Sequence, residues 1–143
     1  MNGTHNTRSD RPISVLLAED DQDLRFILSH SLIQGGYLVN EVHSIAEMED
    51  RIIAIQENDV ARRGTDIIVS DVNLSDGSVV PLLMKYRTFI SSFPTLLITS
   101  DKSPELLRIA RKIGIHDVLG KPFDLPFFLA VICHALMMDS VRV

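Results

Sequence analysis

ISVLLAEDDQDLRFILSHSLIQGG, residues 13–36, joins a short unbroken apolar run to three consecutive acids and then to a helical pattern. The apolar run, 13–18, is what a strand covered on both faces requires. Leu24, Ile27, Leu28, Ser31 and Leu32 then recur at the spacing of one helix face until Gly35-Gly36 stops the helix. Between strand and helix lie Glu19, Asp20 and Asp21. Like charges held within a few ångströms repel, and each carboxylate is better solvated alone. Two readings make the crowding tolerable: a bound cation, or a solvated turn that happens to be acidic.

The same strand-then-helix unit repeats down the chain. YLVNEV, 37–42, reads as an alternating strand, and 44 to about 60 as a helix ending near Arg62-Arg63-Gly64. DIIVS, 66–70, is a buried strand, followed by the loop DVNLSDGS, 71–78, and a helix from about 79 to 90. TLLIT, 95–99, is another buried strand, and SPELLRIARKI, 103–113, a helix with Pro104 in its first turn. IHDVLG, 115–120, is the last strand, and Asp124 opens a final helix to about Met138 with Pro126 near its start. Five strands alternating with five helices predict an α/β fold, a doubly wound parallel sheet with helices on both faces.

At 143 residues and 45% hydrophobic, the chain is long enough for one domain with a real core. Residues 1–12 are polar and lack the apolar stretch of a signal peptide, so they read as a flexible lead; 13–138 form the folded unit and 139–143 a tail. Asn2-Gly3-Thr4 matches a glycosylation acceptor only by chance when no secretory signal accompanies it. With 14 basic against 19 acidic side chains and a formal charge of -5, the chain offers phosphate backbones no general attraction, which argues against direct nucleic-acid binding. The single cysteine, Cys133, cannot pair within the chain, which fits a reducing cytoplasm, and inside an apolar run it reads as core filler or interface lining. Histidines at 5, 30, 43, 116 and 134 show no metal-ligand spacing, and His30 and His43 read as surface-helix and strand-end residues. Arg108, Arg111 and Lys112 share one helix without interleaved aromatics and read as a solvated or partner-contacting face.

In a doubly wound sheet, ligands bind beyond the carboxyl ends of the strands. Glu19 and Asp20 follow the first strand, Asp71 the third, Thr99 and Ser100 the fourth, and Lys121 the fifth. Three carboxylates, two hydroxyls and one ammonium thus converge on one rim from positions spread over roughly a hundred residues. Several carboxylate oxygens suit a hard cation, and magnesium prefers one or two carboxylates, water and a phosphoryl oxygen to a closed protein cage. With charge neutralised in this way, Asp71 can attack a phosphoryl group while Lys121 and a hydroxyl stabilise its oxygens. Acids stand where the glycines of a nucleotide-binding loop would be, which disfavours a dinucleotide-binding domain.

VLLAEDDQDLR, DIIVSDVNLSDGS, LLITS and GIHDVLGKPF, in this order and spacing, resemble the receiver domain of two-component response regulators, the CheY-like family, over roughly 13–138. The resemblance implies a flavodoxin-like (βα)5 fold with strand order 2-1-3-4-5. It implies that Glu19 and Asp20 hold magnesium together with Asp71 and the backbone carbonyl of Asn73, with Asp21 helping to begin the helix. Asp71 takes the place of the phosphorylated aspartate, Thr99 that of the switch hydroxyl, and Lys121 that of the lysine paired with the phosphoryl group. Asn73, Leu74 and Ser100 line the phosphoryl position. The bond before Pro122 is expected to be cis. The phosphodonor would be a phosphohistidine on a sensor histidine kinase or a histidine phosphotransfer protein. The chain would assist its own aspartyl phosphorylation and dephosphorylation as a signalling phosphoacceptor, not as an enzyme.

The chain departs from the family pattern in three places. Ser75 stands where proline is usual, and Val79 where glycine is usual; Gly77 can supply the turn instead. Val118, three residues before Lys121, replaces a tyrosine or phenylalanine that swings inward when the threonine engages phosphate. Either the signal travels through the loop after Thr99, or an aromatic elsewhere substitutes. Asn73 and Asp101 occupy the positions that influence hydrolysis in the family. An amide and a carboxylate there can orient an attacking water, which predicts a short-lived phosphoaspartate.

LPFFLAVICHALMM, 125–138, carries no formally charged residue. It is too short to span a bilayer, which needs roughly twenty residues. One buried face accounts for about half of these positions. If Phe128, Ile132 and Leu136 face the sheet, then Phe127, Leu129, Val131 and Met138 face elsewhere. With Val118 of the preceding strand they predict an interface for a homodimer or a downstream target. A core deeper than usual is the other reading. For function, the leading class is a phosphoacceptor switch, and the second is a receiver-fold interaction module that acts without phosphorylation. A magnesium-dependent phosphohydrolase is disfavoured because Asn73, not a second aspartate, sits two residues after Asp71. Too little chain follows Met138 for an output domain, so a stand-alone receiver or a piece of a longer protein is expected.

Overall fold

The computed structural model describes residues 11–57 and 64–142, with side chains through 139. In chain order the elements are β1 (Ser14–Ala18), α1 (Gln22–Gln34), β2 (Leu38–Val42), α2 (Ile45–Glu57), β3 (Ile67–Asp71), β4 (Asn73–Leu74) and β5 (Gly77–Ser78), followed by α3 (Val80–Lys85), α4 (Arg87–Ile90), β6 (Thr95–Thr99), α5 (Pro104–Ile113), β7 (Asp117–Gly120) and α6 (Leu125–Arg142). Five strands form one parallel sheet in the order β2-β1-β3-β6-β7, and β4 and β5 form a separate two-stranded hairpin. Counting only the strands of the main sheet, this is the expected order 2-1-3-4-5, and the fold is the doubly wound one.

Alternation of side chains along each strand divides the apolar residues between two faces. Leu16, Ala18, Ile68, Leu97 and Val118 pack with residues of α2, α3, α4 and α5. Val15, Leu17, Ile67, Val69, Leu96, Ile98 and Leu119 pack with α1 and α6. The central strands β1, β3 and β6 are buried along their whole length, which is why they read as unbroken apolar runs. β2, at the edge, does not keep the expected alternation: Leu38, Asn40 and Glu41 are exposed, Val39 is half-buried and Val42 is buried.

The helix starts follow local chemistry. Asp21 accepts from the Leu24 amide at 3.1 Å, Ser103 from Leu106 at 3.1 Å, and Asp124 from Phe127 at 2.7 Å. At α2, Ser44 accepts from the Glu47 amide at 3.1 Å while the Glu47 carboxylate accepts from His43 N at 2.7 Å. α5 ends at Gly114, whose φ of 94° is the left-handed conformation that glycine adopts at least cost.

The structure differs from the sequence reading in several places. The helix expected over 79–90 is two short ones, broken at Tyr86, whose φ of -108° and ψ of 27° leave the α region. There the Tyr86 hydroxyl donates to Glu49 at 2.7 Å, and Lys85 donates to the same carboxylate oxygen at 2.8 Å, fastening this bend to α2. The last helix continues through Arg142, so residues 139 to 142, expected as tail, are helical. Arg11, assigned to the flexible lead, is anchored: both terminal guanidinium nitrogens donate to Asp66, each at 2.9 Å. Asp66 is buried, and its Oδ2 also accepts from Ser14 N at 2.8 Å. Cys133 is exposed, not core. The end of the second helix near Arg62-Arg63 and the glycosylation-like Asn2-Gly3-Thr4 lie outside the described residues.

The interface expectation is corrected at two residues. Val118 is buried because its side chain lies on the sheet face that α5 covers, in a cluster with Leu97, Leu106, Ala110 and Ile113. Val131 is buried because the inner face of α6 is broader than expected, taking in Phe128, Val131, Ile132, Ala135 and Leu136. Leu129 is half-buried against the same cluster. Phe127 and Met138 are exposed, together with Met137, which the sequence reading did not name.

Candidate functional site

Because the five strands of the main sheet run in one direction, their carboxyl ends share a rim, and β3 lies between β1 and β6. Glu19 follows β1, Asp71 ends β3, Thr99 ends β6 and Lys121 follows β7. Glu19, Asp71 and Thr99 are buried, whereas Asp20 is half-buried beside them.

The rim brings Glu19, Asp71 and Lys121 into contact. Lys121 Nζ stands 2.5 Å from Asp71 Oδ2 and 3.2 Å from Glu19 Oε1, so one ammonium serves two carboxylates. The other oxygen of Asp71 accepts from the Asn73 amide at 3.1 Å, which fixes the carboxylate plane. Glu19 Oε2 accepts from the Asp21 amide at 3.1 Å. Glu19 Oε1 is buried without an aligned hydrogen-bond donor, since Lys121 lies within ion-pair range but off the hydrogen-bonding direction. Burial pushes the Glu19 carboxyl above its ordinary value; the Asp71 charge acts in the same direction, and the Asp21 amide and Lys121 act against it. For Lys121, burial pulls downward, but the hydrogen bond and charge of Asp71, with Glu19 behind them, more than offset it and the ammonium is held above its usual range.

Thr99 does not reach toward Asp71. Its hydroxyl oxygen accepts from the Asp101 amide at 3.0 Å and donates to the Asp101 carbonyl at 3.2 Å. Ser100, Asp101 and Asn73 are exposed around the mouth, and Leu74 is buried, leaving its backbone as its polar contribution. The Lys121–Pro122 bond is cis.

The acids fit a hard cation. Glu19 offers a buried oxygen with no hydrogen-bond donor, and the Lys121 ammonium stands between Glu19 and Asp71. Among the described residues, no group of three or more His, Cys, Asp or Glu side chains is arranged to hold a metal ion. Magnesium takes one or two carboxylates and fills the rest of its shell with water and phosphoryl oxygens, a demand that Glu19 and Asp71 alone can meet.

Three supporting features escaped the sequence reading. Arg25 donates to the Glu19 carbonyl at 2.9 Å, and its Nε lies 3.6 Å from Glu41, tying the acidic turn to β2. Asp76 accepts from the Ile45 amide through both oxygens at 3.1 Å, which fastens the β4–β5 hairpin to the start of α2. Beside Lys121, an apolar cleft of about 320 Å³ runs between α1 and the start of α6, lined by Leu24, Ile27, Leu28, Pro122, Phe123 and Leu125. None of these left a trace in the sequence: Ile27, which the helical spacing placed on the apolar face of α1, is 46% exposed, with Phe26 beside it at 70%.

The sequence matches the family model of the response regulator receiver domain over residues 15–132. The swarming motility regulation protein RssB of Serratia marcescens is 31% identical over 114 residues, covering 80% of this chain and 48% of that protein. The response regulator protein FleR of Pseudomonas aeruginosa is 32% identical over 123 residues, covering 85% of this chain and 24% of that protein. The chain therefore spans about half or less of the length of these curated relatives. Among solved structures, a CheY-like receiver domain protein from Methanospirillum hungatei JF-1 superposes with a TM-score of 0.79 at 18% identity, covering 93% of this chain and 100% of that one. That likeness is one of fold, while the sequence match runs from β1 into α6 and takes in the whole rim; on it, the chain belongs to the response regulator receiver domain family.

Proposed function

We propose that this receiver domain accepts a phosphoryl group on Asp71 from a phosphohistidine protein and thereby switches its contacts with a partner. The observation that carries the reading is the buried Asp71 carboxylate held between Lys121 and the Asn73 amide on the carboxyl rim. An Asp71 oxygen attacks phosphorus, the N–P bond of the phosphohistidine breaks, and its electron pair returns to the imidazole. Lys121 follows the negative charge onto the phosphoryl oxygens. Glu19, Asp20 and Asp71 with the Asn73 carbonyl would hold magnesium, which when bound neutralises charge among the acids and the phosphoryl oxygens. Hydrolysis, in which a water oriented by Asn73 and Asp101 attacks phosphorus, the Asp71 O–P bond breaks and inorganic phosphate leaves with the carboxylate restored, limits the lifetime of the signal. In this reading the chain is a cytoplasmic signalling phosphoacceptor and not an enzyme with an outside substrate; among the described residues no helix is long and apolar enough to cross a membrane.

Thr99 carries the output. To reach a phosphoryl group its hydroxyl must leave the Asp101 backbone, which frees the loop between β6 and α5. Val118 is buried and small, so this loop movement replaces an aromatic swing. The phosphodonor docks over the cleft beside Lys121, where Phe26 and Ile27 are exposed, and the downstream target or a second copy docks on the exposed Phe127, Met137 and Met138 of α6. Incubation with a small acyl phosphate and magnesium, followed by intact-mass measurement, tests the reading. One added phosphate, lost in Asp71→Asn, is expected; no gain would leave an interaction module that works without phosphorylation.

A further inference from the structure

His116 and His134 come from different elements and meet on the surface. His116 immediately precedes β7, where its amide donates to Thr95 O at 2.9 Å, and His134 is exposed midway along α6. Nε2 of His116 lies 3.0 Å from Nδ1 of His134, with ring centroids 5.1 Å apart and ring planes 49° apart. Lys121 follows the opposite end of β7. At about 3.3 Å per residue along a strand, the pair stands roughly 15 Å from the rim that holds Asp71.

We propose that His116 and His134 form a binding site for a divalent transition ion of the zinc type, separate from the phosphoacceptor rim. Imidazole nitrogen is a ligand for zinc, nickel and copper and a poor one for magnesium, so excess magnesium competes for the acidic rim and not for this pair. With zinc–nitrogen bonds of about 2.0–2.1 Å, two neighbouring ligands stand about 2.9 Å apart at a right angle and about 3.3 Å apart at a tetrahedral angle. The observed 3.0 Å, which is the length of the hydrogen bond the two rings make with each other, lies between these values, so both nitrogens stand close enough to share one ion. What remains is a turn of each ring about its Cβ–Cγ bond, a soft torsion, to aim both lone pairs at one point off the N···N line.

The proton balance is simple. In the neutral pair one of the facing nitrogens carries the shared proton. With the shared proton on His134 Nδ1, binding moves it through solvent to Nε2 of the same ring, with no net release. Two protein donors leave the remaining positions to water, and among the described residues no third His, Cys, Asp or Glu completes a cluster. The site is therefore weaker than a closed structural zinc site, and an ion in it would clip α6 to the start of β7.

Zinc titration of the full chain against a chromophoric chelator, in excess magnesium, tests the site. One ion per chain is expected, with affinity lowered at least roughly tenfold in His134→Gln and in His116→Gln and unchanged in Cys133→Ser, a factor that corresponds to a single lost ligand. Zinc-dependent shifts of both imidazole resonances in the unmodified chain supply a measurement independent of the variants. Binding indifferent to both histidine variants, binding lost only with Cys133→Ser, or one ion per two chains would each overturn the assignment.

Discussion

Lys121 Nζ lies 2.5 Å from Asp71 Oδ2, so the proposed phosphoacceptor is already paired with the cation that its phosphorylated form requires. The pair is mostly shielded, with side-chain exposures of 23% and 11%. Removing the lysine leaves Glu19 and Asp71 facing each other without a cation. Lys121→Met is therefore expected to cost about 1–3 kcal/mol in urea unfolding without divalent ions. Added magnesium should restore more stability to the variant than to the parent chain. Equal stability of the two proteins would show that the pair contributes nothing.

Glu19 supplies a pH dependence whose sign is fixed by its raised pKa. Burial, the largest cause, favours the protonated carboxyl in the folded chain. The favourable contribution is complete below the unfolded value of 4.5 and is lost as pH rises through the higher folded value. Glu19→Gln keeps a neutral side chain at every pH. Without divalent ions it should match the parent chain in acid and unfold at higher urea than the parent at neutral pH, while binding magnesium more weakly. A stability gap that widens toward acid instead would reverse the assignment.

Arg11 and Asp66 lock the opposite end of the sheet. Their two 2.9 Å hydrogen bonds lie near the amino ends of β1 and β3, far from the rim. Arg11→Ala strands a buried carboxylate whose remaining partner is the Ser14 amide, and should cost about 1.5–3 kcal/mol by urea unfolding. Labelling of Asp71 by a small acyl phosphate should proceed at the parent rate. Loss of labelling in a folded Arg11→Ala chain would mean that the two ends are coupled.

How far the sequence discloses this molecule depends on which interactions are local. The central strands were legible because burial on both faces demands unbroken apolar runs, and the rim residues because parallel strands deliver whatever follows them to one edge. Caps such as Asp21 and Asp124 were legible for the same local reason. The bend at Tyr86 was not, because it is fastened by Glu49, 37 residues earlier. Arg11 looked like tail because its partner Asp66 lies 55 residues away. The exposure of the last strand and last helix was misjudged at Val118 and Val131 because a count of apolar residues does not say how wide a face the neighbouring elements cover.

Ile27 offers a way to separate partner docking from chemistry. It is exposed on α1 and lines the same cleft as Lys121, but is not itself one of the groups proposed to react or to hold the ion. Ile27→Glu is expected to slow phosphoryl transfer from a phosphohistidine protein roughly tenfold or more, the loss of one good apolar anchor. Labelling by a small acyl phosphate should stay within about a factor of two, because that donor needs no docking surface. If both donors slow equally, Ile27 acts on the rim itself and the cleft is not the docking site.

Asp76 and Gly77 bear on the acceptor loop from behind. Gly77 has a φ of 133°, which side-chain-bearing residues rarely adopt, and Asp76 holds the Ile45 amide, so the β4–β5 hairpin is turned by one residue and fastened by the other. The hairpin carries Asn73, whose amide orients Asp71 and whose carbonyl is the proposed magnesium ligand. Gly77→Ala should cost about 1–2 kcal/mol through backbone strain. Asp76→Ala should cost about 1 kcal/mol as a lost helix cap, and Asp76→Asn, which keeps an acceptor, should recover most of it. Magnesium titration then separates anchoring from stability. If the hairpin positions Asn73, Asp76→Ala weakens magnesium binding and Asp76→Asn restores it in parallel with the cap, whereas unchanged magnesium affinity in a chain that has lost the cap would confine Asp76 to holding α2.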